Sequence, residues 1–189
     1  MRIIVGISGA SGVIMGYHLV RALKRQQCEV HLVISNSARE TWAIECDMPI
    51  SQLETIADVV HSNDNLAAAI SSGSFETAGM IVLPCSMKTL AAAANGYSDG
   101  LLTRAVDVCL KENRKVVLCP REMPFGKVHL RNMLATSELG CTIIAPLLTF
   151  YNHAQNLDEQ IEHLIGKIFM QFNLNPDRFK PWEGCERNR

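Results

Sequence analysis

Residues 2–12 read Arg-Ile-Ile-Val-Gly-Ile-Ser-Gly-Ala-Ser-Gly, an apolar run that breaks abruptly into small and hydroxyl-bearing residues. A continuous rather than alternating apolar run marks a strand buried on both faces, as in a parallel sheet flanked by helices. The glycines that follow let backbone amides come close to an anion, and 13–25 then continues with helical spacing, so that the amino end of a helix faces the same spot. Working outward, further short apolar runs lie at 29–34, 57–61, 79–83, 115–119 and 142–147. Between and after them, 38–44, 88–94, 101–112 and 128–139 have helix composition. Strand then helix, repeated, predicts right-handed crossovers. The fold class is therefore α/β, a three-layer α/β/α doubly wound, Rossmann-like, six-stranded parallel sheet of order 3-2-1-4-5-6.

A last helix is predicted from Leu157, capped by Asn156 or Asp158. Leu157, Ile161, Leu164, Ile165, Ile168, Phe169 and Phe172 form one stripe along it. Residues 1–175 read as one domain, and 176–189 as a tail that would pack on a neighbouring subunit. The chain has 189 residues, 48% hydrophobic and 20% charged, which suffices for a core without staples. A net charge of -1 gives no overall field favouring nucleic acid or acidic membranes. The seven cysteines are scattered without metal or redox spacing, which suits a reducing compartment. The six histidines show no ligand spacing either, and no metal is expected. No apolar run nears the roughly 20 residues that span a bilayer, and 1–16 is too broken by glycine for a signal peptide. The expectation is a soluble cytoplasmic protein.

Ligands of such sheets bind outside the carboxyl ends of the strands, where strand order reverses. The loops there are 8–12, 35–37, 84–89, 120–127 and 149–153. In the first, Gly9 and Gly12 let backbone amides approach an anion, and Ser11 can cap the helix or face a ligand. A nicotinamide dinucleotide would want an acid at the end of the second strand, but that strand runs into Ser35-Asn36-Ser37 and the nearest acid is Glu40. In 84–89, Pro84 is expected to stop the strand, leaving Ser86, Met87, Lys88 and Thr89 at the start of a helix. Lys88 could meet a phosphate or stay solvated, and Cys85 reads as packing. In 120–125, prolines flank Arg121 and Glu122. A guanidinium beside a carboxylate suits phosphate binding with a general acid adjacent, and a surface ion pair would look the same.

These loops, together with 70–75, 101–112 and Phe150-Tyr151-Asn152-His153, resemble the UbiX-type flavin prenyltransferases over essentially the whole chain. That family belongs to the flavin-containing cysteine decarboxylase superfamily, and some members were formerly described as aromatic acid decarboxylase subunits. The resemblance implies reduced FMN as co-substrate and dimethylallyl phosphate as donor. The dimethylallyl group is joined to flavin N5 and C6 without a metal, and the prenylated FMN passes to a UbiD-type decarboxylase. It also implies that Gly9, Ala10, Ser11, Ser35, Ser86, Met87, Lys88, Thr89 and Arg121 contact FMN. Tyr151 and Lys167 would bind the donor phosphate, helped by Lys111 and Arg121. Glu122 would be the acid that protonates the leaving phosphate, while Ser11 and Glu45 would handle protons at the flavin. Relatives can carry arginine where this chain has Lys167, an exchange that loses bidentate phosphate geometry. The same resemblance implies a homo-oligomer, a dodecamer.

Two other functions fit the same scaffold less well. A flavin-dependent cysteine decarboxylase would carry Pro-Ala-Ser-Ala-Asn-Thr at 84–89 and a Met-Asn clamp at 120–125, and both marks are absent. A non-catalytic FMN carrier subunit would have no use for Glu122, Arg121, Tyr151 and Lys167 together.

Overall fold

The computed structural model describes residues 1–176, 179–182 and 184. Strands β1 (Arg2–Ile7), β2 (Glu29–Ile34), β3 (Val59–Ser62), β4 (Gly79–Cys85), β5 (Lys115–Pro120) and β6 (Thr142–Ile143) form one sheet. Every pairing is parallel, and the order is 3-2-1-4-5-6, as the repeated strand-helix pattern predicts. The helices are α1 (Ile14–Arg25), α2 (Asn36–Glu45), α3 (Ser51–Ile56), α4 (Met87–Asn95), α5 (Leu101–Lys111), α6 (Lys127–Glu138) and α7 (Leu157–Gln171).

Alternate strand residues feed two separate cores. Ile3, Val5 and Ile7 of β1, Leu32 of β2, Ile81 of β4 and Val117 of β5 pack with Leu19 of α1 and Ile165 of α7. Ile4, Val33, Met80, Val82 and Leu118 face the other way, against Leu90 of α4 and Leu102 and Val106 of α5. Burial on both faces is why the central strands read as unbroken apolar runs.

Three boundaries depart from the sequence reading. Pro84 does not end β4. The strand continues to Cys85, which pairs with Pro120, and the ladder slips between Val82 and Cys85. The slip accommodates a residue that has no N–H to donate, while the Pro84 carbonyl accepts Ser8 N at 3.2 Å. Strand β6 is only two residues long where 142–147 was expected. Pro146 interrupts it, and Leu147 and Leu148 are left exposed. Strand β3 starts at Val59 rather than 57, because Ala57 closes α3, a helix the pattern did not reveal. The carboxylate of Asp58 there accepts Val30 N at 2.7 Å and holds Lys24 at 2.6 Å.

Helix α7 begins where predicted, with Asn156 accepting Glu159 N at 3.0 Å. Of the tail, Phe179 stacks on His163 and Trp182 meets Tyr151 edge-on, so these two rings lie on their own chain. Residues 177, 178, 183 and 185–189 of the expected tail lie outside the described residues. No helix among the described residues is long and apolar enough to cross a membrane.

Candidate active site

The chain runs β1 to β3 in one direction from the centre of the sheet and β4 to β6 in the other, so the crevice opens between β1 and β4. Ser8 closes its floor. Its hydroxyl donates to Pro84 O at 3.0 Å and accepts Ser86 N at 2.7 Å, and the residue is 1% exposed. On the far side Arg121 N donates to Cys85 O at 3.0 Å. Gly9 lies so close to the start of α2 that an added Cβ would meet Cβ of Ser37 at 2.6 Å. The ends of β1, β2, β4 and β5 are thus brought together, as the reading requires.

Two helix amino ends face one cavity of about 280 Å³, bordered by Ser35, Asn36, Ser37, Ser86, Lys88 and Thr89. Ser35 caps α2 by accepting Ala38 N at 3.2 Å, and its hydroxyl lies 3.2 Å from that of Ser37. Ser86 caps α4 by accepting Thr89 N at 3.3 Å and donates to the Thr89 hydroxyl at 3.1 Å. Helix amino ends and hydroxyls are a donor set for a phosphate-bearing ligand. The Lys88 ammonium sits 2.9 Å from Asp99, which it holds below the ordinary carboxylate range. It stands at the rim as one half of an ion pair.

The amino end of α1 is arranged differently. Val13 precedes it without a side-chain cap, and Glu45, from the last turn of α2, supplies the carboxylate instead. Gly12 N donates to Glu45 Oε2 at 2.7 Å. Burial pushes the Glu45 carboxyl up, but hydrogen bonds from the Ser11 hydroxyl and the Gly12 and Val13 amides, with the charge of Arg121, bring it below its usual value. Ser11, Glu45 and Arg121 therefore form one electrostatic unit. The sequence separates them by tens of residues, and the Glu45 cap leaves no local pattern.

Glu122 is exposed, and its Oε1 accepts the amide of Met123 at 2.9 Å. The whole of 121–126 is exposed, with Arg121 N held by Cys85 O and Gly126 N by His129 Nδ1 at 3.1 Å.

Tyr151 and Lys167 meet in a second group. The Tyr151 hydroxyl lies 3.3 Å from His163 Nε2. Lys167 Nζ stands 5.1 Å from the centroid of Phe179. No hydrogen bond or ion pair among the described residues joins this group to Ser11, Glu45 and Arg121. Lys111 lies further off, at the end of α5 that leads into the start of β5, paired with Glu112 at 3.1 Å. Within one chain it stands at the amino ends of the strands, opposite the crevice.

A larger cavity, about 590 Å³, lies between α1 and α7. It is lined by Arg21, Arg25 and Glu162 and by Asn152, His163 and Phe179, so it borders the Tyr151 and Lys167 group rather than the crevice between β1 and β4. Among the described residues no group of three or more His, Cys, Asp or Glu is placed to hold a metal. Cys85 is fully buried and its thiol is pushed up strongly by burial, so it packs, as read. The other described cysteines are shifted the same way, Cys109 and Cys141 each to about 11.

The flavoprotein family pattern matches residues 1–172. A curated relative, "Probable UbiX-like flavin prenyltransferase" of Sedimentibacter hydroxybenzoicus, is 63% identical over 187 residues, covering 98% of this chain and 99% of its own. Among solved structures, AnUbiX in complex with FMN and dimethylallyl pyrophosphate superposes with a TM-score of 0.95 at 43% identity, covering 98% of both chains. A dodecameric FMN-dependent UbiX-like decarboxylase from Escherichia coli O157:H7 gives 0.95 at 45% identity, covering 97% of this chain and 100% of its own.

Proposed function

The chain belongs to the UbiX-type flavin prenyltransferases, and on that premise we propose that it joins the dimethylallyl group of dimethylallyl phosphate to N5 and C6 of reduced FMN. The product, prenylated FMN, would serve a UbiD-type decarboxylase. The observation that carries this reading is the junction of the β1, β2, β4 and β5 ends beside a cavity that Ser35, Ser37, Ser86 and Thr89 line between the amino ends of α2 and α4. These residues fit FMN. Gly9, Ala10, Ser11, Ser35, Ser86, Met87, Lys88, Thr89 and Arg121 would hold it, and when bound it supplies the nucleophilic ring atoms.

The protein's own groups then divide the work. Arg121 offsets negative charge on the leaving phosphate, and Glu122 protonates it, as cleavage of an allylic ester requires. Glu45, held in its charged form, accepts a proton that reaches the Ser11 hydroxyl beside it. Tyr151 and Lys167 bind the donor phosphate. The solved relative carries the pyrophosphate; either ester presents these groups with the same allylic carbon and anionic oxygens.

A dry site asks for more than one copy of this chain. Met123 next to Glu122, Val128 and Leu134 of α6, and Leu147 and Phe150 after β6 are each more than half exposed. Helix α6 buries only Thr136. An apolar surface of this extent marks an interface between subunits. A homo-oligomer, a dodecamer like the E. coli relative, would cover the loop and bring Lys111 of another copy to the site. The buried free thiols favour a reducing, cytoplasmic setting.

The test is direct. The protein is incubated anaerobically with reduced FMN and dimethylallyl phosphate, and the flavin is weighed by mass spectrometry. A gain of one five-carbon unit is expected; an unaltered flavin mass overturns the proposal.

A further inference from the structure

His163 is the least explained buried polar group near the site. It is 4% exposed on the inner side of α7, and its Nδ1 has no hydrogen-bond partner among the described residues. Its other nitrogen, Nε2, lies 3.3 Å from the Tyr151 hydroxyl, with the rings edge to face at 5.5 Å and 80°. Its opposite face stacks on Phe179 at 4.8 Å and 28°. Phe179 comes this close only because residue 166 is glycine, for an added Cβ there would collide with its ring. Lys167 Nζ stands over the same phenyl ring. His163 is therefore wedged between the two residues that the proposed function assigns to the donor phosphate.

The tautomer follows from these contacts. Burial and the charge of Lys167 hold the imidazole below its ordinary value, so it is neutral at neutral pH. A neutral ring carries one N–H. On Nδ1 that proton would be a buried donor with no acceptor. On Nε2 it points at the Tyr151 oxygen, which must then accept, and the phenolic proton is left to turn outward. We infer that His163 is a positioning residue that fixes Tyr151 as a hydrogen-bond donor toward an anionic oxygen of the dimethylallyl donor. Trp182, edge-on to Tyr151 at 5.5 Å, limits the swing of the phenol from the other side.

This inference rests on Tyr151 binding the donor phosphate, so the experiment separates the two. Donor affinity is measured by calorimetry on protein loaded with oxidised FMN, where no transfer occurs, and kcat and KM are measured anaerobically with reduced FMN. Variants are Tyr151→Phe, His163→Phe, His163→Gln and the double Tyr151→Phe/His163→Phe. Phenylalanine keeps the stack on Phe179. Each single phenylalanine variant is expected to weaken donor binding about tenfold and raise KM alike, with kcat little changed. The double variant is expected to be no worse than Tyr151→Phe, since one removes what the other orients. His163→Gln, which keeps an N–H near Nε2, is expected to recover affinity, and it carries the test should His163→Phe fail to fold. Wild-type binding in His163→Phe, or additive losses in the double variant, would overturn the role of His163 while leaving Tyr151 in place. Wild-type binding in Tyr151→Phe would remove the donor reading itself, and this inference with it.

Discussion

The hydroxyl of Ser8 accepts the backbone N–H of Ser86 at 2.7 Å, across the crevice where strand order reverses. Through it the end of β1 holds the first residue of the β4–α4 loop, the residue that also caps α4. One buried oxygen thus sets the distance between the two sides of the crevice.

Replacing Ser8 with alanine leaves Ser86 N without its acceptor in a buried setting. The expected cost is about 1–3 kcal/mol, the usual penalty for an unpaired buried donor. Thermal unfolding should show the loss, and a fluorescence titration should show weaker FMN binding, because the α4 cap shifts with the loop. An unchanged melting temperature would mean that Ser86 N finds another acceptor.

Gly9 has no room for a side chain. Gly9→Ala should push the β1–α1 loop off Ser37 and lower FMN affinity at least about tenfold, a loss of roughly 1.4 kcal/mol. Pairing it with Ser37→Gly, which removes the obstructing side chain, should restore part of the affinity. Failure of the second change to help would show that the glycine matters for another reason.

The cap that Glu45 provides makes a pH prediction. Its carboxyl is held below the ordinary value, so it stabilises the fold above the unfolded-state pKa, and that contribution disappears as the pH falls through the folded one. The difference in stability between the protein and Glu45→Gln should be full at neutral pH and close below about pH 4. Denaturant titrations at several pH values read it out. A constant gap across that range would exclude a charged cap on α1.

Glu122→Gln should keep FMN affinity while slowing transfer about 10²- to 10⁴-fold, the range of a lost general acid. Single-turnover measurements, following the flavin mass with time, separate the two effects. Wild-type turnover in the variant would take Glu122 out of the mechanism.

Leu134 is 61% exposed on α6. If α6 lies between subunits, Leu134→Glu should break the assembly in ultracentrifugation and abolish transfer together. A small, active species would show that one chain suffices.

The fold was legible because its decisive signals are local. Six apolar runs, five of them followed by helical spacing, admit few arrangements, and the serines at 35 and 86 mark helix starts by short-range capping. What was not legible depends on contacts between distant residues. Nothing around Ser8 distinguishes it from any hydroxyl at the end of a strand, and its partners at 84 and 86 are known only once β1 lies beside β4. Glu45 as a cap on α1 required the fold, although its involvement was implied by resemblance. Pro84 misled in the opposite direction: proline ends most central strands, but here the ladder slips to pass it. His163 has no ligand spacing in the sequence, and only the packing of Tyr151 from before α7 and of Phe179 from after it gives its ring partners.

A protein that handles reduced flavin meets hydrogen peroxide whenever oxygen reaches the site. The attack of peroxide on cysteine needs thiolate, and each of the six described thiols titrates above its ordinary value, five of them from inside the core. Among the described residues, the cysteine thiols lie where peroxide finds little thiolate to attack.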